Sequence, residues 1–468
     1  MEQTIWAIGD LHADVHCARH WVHRSGLVRN LSAPSSYWTW SDPNAHLIFM
    51  GDYIDKGPYA RATLEFIRTL ETTFPSSVTA LLGNHELNLL LDRARSGGRY
   101  MEYAFGVAHP LQYLDWDTGA TELGAADSRD ALAAIHEALD KIYAENAHAR
   151  YKMVPDGPWS IVERIEPPQL RPVVARCLRR WQDAYLLGVS SNSLNGAWLQ
   201  QRPLLALRGG TLWVHGGIPP SFFEKRINHA SHWSLHDYAA THEDLLSTRG
   251  LSPYLLSADG VELLNGQWRN ASHKHEGHGA SDGILSRSSL QMAYTGHDAL
   301  HSAHEAELAL ARSEVVEIVS ELVEYRGLHD PRKGCARVEK LLDALNKHLR
   351  ESKADCGCVK RIAVGHTPGN SVRQMCDGQL LAVDSALGRD FRRTGNLYCD
   401  SRKDAKAGVA VTPCVSPETP CEGQIVRLDG RKVKEKDDEG EFDSWSWEVH
   451  VIESGGGEVE EAGHKVEL

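Results

Sequence analysis

The stretch AHLIFMGDYIDKGP (residues 45–58) decides the fold prediction, because an apolar run passes abruptly into glycine, aspartate and lysine. The apolar run predicts a buried β-strand, and the polar residues predict a tight turn directly after it. TIWAIGD (4–10) and SVTALLGN (77–84) share this design and end in Gly-Asp and Gly-Asn. Between the strand patterns at 45–52 and 77–84, YARATLEFIRTLETTF (59–74) has apolar residues at helical spacing. This strand–helix–strand order predicts an α/β fold.

More strands and long helical insertions are predicted further along the chain. Strand patterns occur in TLWVHGG (211–217), KRIAVGHT (360–367), LLAVDSALG (380–388), QIVRLDG (424–430) and SWEVHVIE (446–453). Helical patterns cover 125–150 and 170–187, and a helical hairpin is predicted from 299–326 and 336–352. We therefore predict one domain over 1–455 with helical insertions at about 110–205 and 225–352, followed by a disordered acidic tail at 456–468.

Composition and charge exclude several classes of protein. A formal net charge of −13 disfavours a broad nucleic-acid-binding face. No apolar run approaches the ~18 residues that a membrane span needs, and the first residues lack the pattern of a secretion signal. The nine scattered cysteines suit a reducing compartment, and Cys356, Cys358, Cys414 and Cys421 are predicted to be free thiols. We expect a cytoplasmic protein without nucleic-acid or membrane partners, in which the terminal KVEL is fortuitous.

Polar side chains that can bind metal follow the predicted strands, with glycine beside them. In open α/β sheets, residues at the carboxyl ends of strands converge on one crevice. A mixture of carboxylate, amide and imidazole, without cysteine, suits Mn, Fe or Zn better than it suits a structural zinc site. Each residue alone could be a turn residue, a helix cap or a buried core histidine. The residues at the strand ends are Asp10, His12, Asp52, Asp55, Asn84, His85, His215 and His366.

The ordered series GDLH, GDYIDKG, GNHE, HGG and GHTP resembles the calcineurin-like metallophosphoesterases of the phosphoprotein phosphatase type. GNHELNLL followed by GGRY, together with VGHTP, is most similar to the Shewanella-like protein phosphatases. The resemblance implies a β-sandwich of two mixed sheets flanked by helices, with the helical insertions inside one catalytic domain.

The resemblance also implies two divalent ions, manganese first, with iron and zinc as alternatives. Asp10 and His12 would hold the first ion, and Asp52 would bridge the two. The second ion would be held by Asn84, His215 and His366. A metal-bound hydroxide would attack the phosphorus, and Asp55 would orient His85 as the general acid for the leaving oxygen.

Two residues depart from the family pattern. Ala13 stands where GDxHG usually has its second glycine, and Lys56 stands where an arginine is usual. Lysine offers a point charge instead of a planar fork, so Lys56 is either a phosphate ligand or simply a solvated side chain. A second phosphate-binding arginine would be Arg287 in ASDGILSR or, second in order, Arg269 in NGQWRN.

Three functions remain open at this point. The first is a serine/threonine protein phosphatase, and the second is a polyphosphate or dinucleoside polyphosphate hydrolase of the same superfamily. The third is an inactive scaffold. Retention of Asp55 favours the first, because an alkoxide leaving group needs an acid more than a phosphoanhydride does. The substrate would be a phosphorylated protein or another phosphoester, and the sequence leaves the oligomeric state open.

Overall fold

The computed structural model describes residues 2–93, 111–112, 114–116, 125–146, 160–190, 192–219, 320–351, 359–389, 420–437, 440–454 and 458–459. The strands are β1 (Glu2–Ile8), β2 (Val28–Arg29), β3 (Thr39–Trp40), β4 (Ala45–Phe49), β5 (Val78–Ala80), β6 (Leu205–Arg208), β7 (Thr211–Val214), β8 (Arg361–Val364), β9 (Arg373–Met375), β10 (Leu380–Ala382), β11 (Gln424–Asp437), β12 (Gly440–Glu453) and β13 (Glu458–Val459). The helices are α1 (Val15–Ser25), α2 (Ala60–Thr73), α3 (Asn84–Arg93), α4 (Ala125–Asn146), α5 (Ser160–Glu163), α6 (Arg171–Gly188), α7 (Leu194–Gln200) and α8 (Gly334–Glu351).

Two mixed sheets form the centre of the described structure. A six-stranded sheet has the order β13-β12-β11-β1-β4-β5, and a five-stranded sheet has the order β6-β7-β8-β10-β9. In the first sheet β1, β4 and β5 run parallel, with β1 pairing antiparallel to β11. In the second, β7, β8 and β10 run parallel and β6 and β9 pair antiparallel at its edges. A third, two-stranded ribbon joins β2 and β3.

The side chains alternate between two buried layers, as the period of a β-strand requires. Ile5 and Ala7 of β1 belong to one hydrophobic cluster with Trp213 of β7 and Leu381 of β10, so the inner faces of the two sheets pack on each other. Trp6 and Ile8 of β1 point the other way and belong to a second cluster with the helices. The predicted β-sandwich flanked by helices is therefore confirmed.

Most predicted elements occur near their expected positions. The helix predicted over 125–150 covers Ala125–Asn146, the one over 170–187 covers Arg171–Gly188, and the one over 336–352 covers Gly334–Glu351. Of the other half of the predicted hairpin, residues 320–324 are helical and 299–319 lie outside the described residues. The 225–352 insertion is thus described only at its end.

The first helix begins directly after a turn that carries two predicted site residues. Asp14 caps α1 by accepting a 3.1 Å hydrogen bond from the Cys17 backbone N–H. The Arg389 guanidinium also donates to this carboxylate, through Nε at 2.8 Å. Gly26 ends the helix in the left-handed conformation that glycine adopts without strain.

The prediction that the cysteines are free thiols is wrong for Cys421, which forms a disulfide with Cys17. Cys335 and Cys376 form a second disulfide. The physical reason is that Cys17 and Cys421 lie 404 residues apart in sequence, so only the fold brings their Cα atoms to 5.3 Å. These bonds also remove the cysteine argument for a reducing compartment. Cys356, Cys358 and Cys414 lie outside the described residues.

Two residues of the predicted tail form a short strand. Glu458–Val459 form β13, in which Val459 pairs antiparallel with Val451 of β12. The rest of the predicted tail lies outside the described residues. Within the part of the chain that is described, none of the helices combines the length and apolar character that crossing a bilayer requires.

Candidate metal centre

Strand ends from both sheets meet at one edge of the sandwich. Asp10 follows β1, Asp52 follows β4, and His215 and His366 follow β7 and β8. His215 Nδ1 lies 2.7 Å from the carbonyl oxygen of Met50, which joins the end of β7 to the end of β4. The His366 backbone N–H donates to both oxygens of Asp10 at 3.2 and 3.1 Å. The predicted convergence of strand ends is therefore present in the structure.

Asp52 belongs to two groups of side chains that could each hold a metal ion. One group is His12, Asp52 and His85, and the other is Asp52, His215 and His366; in each, the ligand atoms lie within 4.8 Å of one another. Asp52 Oδ2 lies 3.9 Å from His12 Nε2, and Asp52 Oδ1 lies 3.2 Å from His215 Nε2. A carboxylate shared by two groups occupies the position that a bridging ligand requires.

Backbone carbonyls fix the ring orientation of two histidines. His215 Nδ1 faces Met50 O, and His12 Nδ1 faces Ile54 O at 3.3 Å. A carbonyl only accepts hydrogen bonds, so each Nδ1 carries a proton and each ring turns its Nε2 toward the site. This is the arrangement in which an outer hydrogen bond orients a metal-binding imidazole. Burial opposes the charged form of His215, but the Asp52 carboxylate beside it raises the pKa of this imidazole overall.

Asn84 completes the second group. Its Oδ1 lies 3.1 Å from His215 Nε2 and 2.8 Å from His366 Nδ1. In this orientation the amide oxygen and the imidazole nitrogens face one another with lone pairs, and a cation between them satisfies all of them. With the amide reversed, its NH₂ group donates to the same histidines and to Asp52. The donor set thus fits a divalent cation, and a single amide rotation accommodates the group without one.

Burial governs the charges at the site. It raises the pKa of Asp10 well above the usual range, helped by the neighbouring carboxylates of Asp384 and Asp52. Burial also opposes ionisation of Asp52, but His215, His85 and His12 together hold its pKa well below the usual range. Burial lowers the pKa of His366 to about 2, so its imidazole is neutral at pH 7. Carboxylates clustered at a buried place favour a cation among them.

The two residues predicted to act together as the acid pair are in contact. Asp55 Oδ2 lies 2.7 Å from His85 Nδ1, and both side chains are buried. Because the carboxylate accepts, Nδ1 carries the proton, and His85 Nε2 faces Asp52 Oδ2 at 3.8 Å. The opposite oxygen, Asp55 Oδ1, accepts a 2.7 Å hydrogen bond from Gln112 Nε2. Gln112 belongs to no motif and was missed in the sequence.

Lys56 reaches the same site. Its ammonium nitrogen lies 3.2 Å from His12 Nε2, and the side chain is half-buried. Burial lowers the pKa of Lys56, while Asp52 and Asp10 act in the opposite direction. Lys56 thus contacts a predicted metal ligand, His12. Arg269 and Arg287 lie outside the described residues.

Glu86 has a structural role that the sequence did not reveal. Its carboxylate accepts backbone N–H groups from Asp52 at 2.8 Å, Tyr53 at 2.7 Å, Ile54 at 3.1 Å and Gly83 at 3.1 Å. Burial and Asp52 raise the pKa of Glu86, whereas His215 and the N–H groups of Tyr53 and Ile54 lower it. Four donors around two oxygens need the ionised carboxylate, because a protonated oxygen would face an N–H group. Glu86 therefore holds the turn that carries Asp52.

The turns of the site are crowded and left-handed. Asp52 has a φ of 55°, and Ala13, at the position where the family pattern has glycine, has a φ of 56°. Ala13 therefore adopts the left-handed conformation that explains the usual glycine. At Gly83, an added Cβ would lie 2.3 Å from the backbone nitrogen of Asp52. Only glycine fits at this position.

The chain belongs to the calcineurin-like phosphoesterase family. The sequence model of that family matches residues 3–300, which is more than half of the chain. The family predicted from the five motifs is thus confirmed.

The matches to known relatives cover only a short stretch of the chain. The serine/threonine-protein phosphatase 6 catalytic subunits of Drosophila melanogaster and Caenorhabditis elegans are 46% and 43% identical over 44 residues. These matches span 9% of this chain and only 14% and 13% of the relatives' length.

Solved structures show a wider but weaker similarity. A cold-active protein-tyrosine phosphatase of a psychrophilic Shewanella is 13% identical, with a TM-score of 0.44, covering 94% of this chain and 80% of that one. A protein serine/threonine phosphatase from Saccharomyces cerevisiae is 10% identical, with a TM-score of 0.30, covering 91% and 72%. TM-scores below 0.5 do not establish a relationship to these two proteins. Membership of the family is shown by the family model, and similarity to the Shewanella-like branch stays a prediction.

Proposed function

We propose that this protein is a serine/threonine protein phosphatase that uses two divalent metal ions. The observation that carries the proposal is the position of Asp52, whose carboxylate belongs to both groups of ligand atoms. Two ions, when bound, neutralise charge on the phosphoryl group and activate water. Asp10 and His12 would hold the first ion, and Asn84, His215 and His366 the second, with Asp52 between them. Manganese is our first choice because the donors mix oxygen and imidazole, and iron and zinc are the alternatives.

His85 would act as the general acid. Its Nδ1 is fixed by Asp55, so the proton to be donated is the one on Nε2, the nitrogen that faces the cluster. A serine or threonine alkoxide is a poor leaving group, for which a positioned acid contributes ~10²–10⁴-fold. His85 also lies among the ligand atoms of the first group. Metal content distinguishes the two roles, because His85→Asn should keep both ions if the residue is an acid and lose one if it is a ligand.

Positive side chains would hold the substrate phosphate. The position of Lys56 Nζ, 3.2 Å from His12 Nε2, supports this role for Lys56. Arg287 and Arg269 remain candidates for a second contact. The described residues add Arg326, which is exposed and close enough to the site to help lower the pKa of His366, together with burial and His215. Its segment lies on the turn after β7, where Leu322 O accepts the N–H groups of Gly216 and Gly217 at 3.0 Å.

The substrate proposal has one competitor. Lys56 in place of arginine would also suit polyphosphate or dinucleoside polyphosphates, because a lysine tolerates varied phosphate geometry. The buried contact between Asp55 and His85 favours the phosphomonoester, whose leaving group needs protonation. An inactive scaffold is disfavoured by the complete set of ligand positions.

The deciding experiment combines metal analysis with a substrate panel. The purified protein is loaded with Mn²⁺, Fe²⁺ or Zn²⁺ and offered phosphoserine, phosphothreonine and phosphotyrosine peptides, polyphosphate and dinucleoside polyphosphates. We expect two ions per chain and the highest kcat/KM on phosphoserine or phosphothreonine peptides. Asp52→Asn should lose metal and activity together. Full metal content and normal turnover in that variant would refute the site, and a preference for anhydrides would refute the substrate.

A further inference from the structure

We propose that Gln112 is a positioning residue that holds the Asp55–His85 acid pair in its working geometry. The inference rests on the proposed function and deepens it, because it assigns a task to a residue outside the motifs. Gln112 lies in the predicted insertion at 110–205, and 57 residues separate it in sequence from Asp55.

The hydrogen bond between Gln112 and Asp55 is short and fully buried. Gln112 is completely buried, and its Nε2 donates to Asp55 Oδ1 at 2.7 Å. The orientation of the amide is dictated by chemistry, because an ionised carboxylate only accepts and the amide oxygen cannot donate. Among the described residues, Gln112 Oε1 has no hydrogen-bond partner. The hydrogen bond to Asp55 is therefore the polar interaction that accounts for a glutamine at this buried place.

Both oxygens of Asp55 are engaged by this arrangement. Oδ2 holds His85 Nδ1 and Oδ1 holds Gln112 Nε2, each at 2.7 Å. A carboxylate bound on both oxygens cannot rotate about its terminal torsion, which is otherwise broad. The plane of the His85 imidazole is fixed in turn, and with it the direction of Nε2. Without Gln112, Asp55 could turn away from His85, and the acid would reach the leaving oxygen in the right orientation less often.

The helical insertion supplies the rigid support that such a role requires. Leu111, next to Gln112, is buried, and its carbonyl accepts the Leu114 N–H at 3.0 Å. Trp116 packs edge-on against Tyr185 of α6, with ring centroids 5.2 Å apart. Trp116 also lies so close to Gly188 that a Cβ there would meet its ring at 2.1 Å. The insertion thus fixes the segment that carries Gln112 to the body of the protein.

The test compares two leaving groups in Gln112→Met, which keeps the volume of the side chain and removes the donor. We expect kcat on phenyl phosphate, whose leaving group needs an acid, to fall about 10-fold, as is typical when an outer-shell partner is lost. On nitrophenyl phosphate, which needs little protonation, kcat should change less than about 2-fold. The ratio of the two activities does not depend on the fraction of folded protein, so partial misfolding cannot produce the result. Gln182→Met, at a buried glutamine of α6, is the matched control and should leave the ratio unchanged.

A double-mutant cycle with Asp55→Asn shows whether Gln112 acts through Asp55. Residues that act through one another are not additive, so the selective effect of Gln112→Met should disappear in the Asp55→Asn background. An unchanged ratio in Gln112→Met, or an equal loss with and without Asp55, would overturn the inference while leaving the phosphatase activity established. Absence of metal-dependent hydrolysis by the wild-type protein would instead overturn the proposed function, and this inference with it.

Discussion

Replacement of Glu86 by glutamine is the sharpest perturbation of the turn that carries Asp52. In the structure each carboxylate oxygen of Glu86 accepts two backbone N–H groups: Oε1 binds Tyr53 and Ile54, and Oε2 binds Asp52 and Gly83. The residue is completely buried, so water cannot replace these contacts. Glutamine has the same shape but only one acceptor oxygen, and its NH₂ group would face two N–H donors.

The size of the effect follows from that count. Two of the four hydrogen bonds are lost, whichever way the amide is oriented. Hydrogen bonds to a charged group contribute about 1.5–3 kcal/mol each, so Glu86→Gln should lower the free energy of unfolding by about 3–6 kcal/mol. This is a large part of the roughly 5–15 kcal/mol that stabilises a typical domain. Metal affinity should fall as well, by about 10–100-fold, because Asp52 loses the support of its backbone.

Urea unfolding of the metal-free protein, followed by metal titration of the folded protein, measures both effects. Glu65→Gln is the matched control, since Glu65 is partly exposed and pairs with Arg61 at 2.8 Å on α2. A surface pair of this kind contributes about 0–1 kcal/mol. The control effect is about 1 kcal/mol at most. If the free energy of unfolding of Glu86→Gln lies within about 1 kcal/mol of the wild-type value, the four N–H contacts do not hold the turn.

Other changes test the site, the fold and the charge of the core. Gly51→Ala should lower the free energy of unfolding by about 1–3 kcal/mol, because Gly51 has a φ of 104° and an added Cβ would lie 2.7 Å from Gly83; a urea midpoint equal to that of the wild type would contradict this. Cys17→Ser should destabilise the oxidised protein by about 2–5 kcal/mol but have little effect in the presence of reductant, which thermal melts under both conditions would show. Burial lowers the pKa of His46 to about 3, so the folded state favours the neutral ring and stability falls as the pH drops below about 6.5. Protonation of His46 should lower the free energy of unfolding by about 1 kcal/mol between pH 7 and pH 5.5. Urea titrations at both pH values should therefore show a smaller loss of unfolding free energy for His46→Gln than for the wild type.

The framework of the fold could be predicted from the sequence because its signals are local. An apolar run such as AHLIFM followed by Gly-Asp encodes both a buried strand and a polar tip, and β4 covers Ala45–Phe49 as expected. Parallel strands place their carboxyl ends at one edge by geometry alone, so Asp52 and His215 could be expected together without any knowledge of their contacts. In the structure, His215 Nε2 lies 3.2 Å from Asp52 Oδ1.

Long-range pairings could not be predicted in this way. Gln112 contacts Asp55 across 57 residues, and Cys17 meets Cys421 across 404. Neither pair has a spacing or a motif that favours one partner over another, since the packing of the insertions and of β11 decides which side chains meet. Glu86 stood inside a recognised motif, yet its task depends on the backbone of a turn more than 30 residues away.

The strain at the site explains why its support is so extensive. Among the predicted site residues that the structure describes, five that are not glycine have positive φ angles: His12 (44°), Asp52 (55°), Asp55 (64°), Lys56 (62°) and His366 (61°). Each such conformation costs of order 1–3 kcal/mol and persists only where surrounding contacts determine it. At Asp52 the contacts are the N–H bonds to Glu86, and at Asp55 they include Gln112 and His85. The left-handed turns aim side chains from strand ends inward at one point, which an extended backbone with alternating side chains could not do. Glu86 as an acceptor and Gln112 as a donor, neither of which the motifs explain, therefore allow the motif residues to adopt a geometry suited to metal binding.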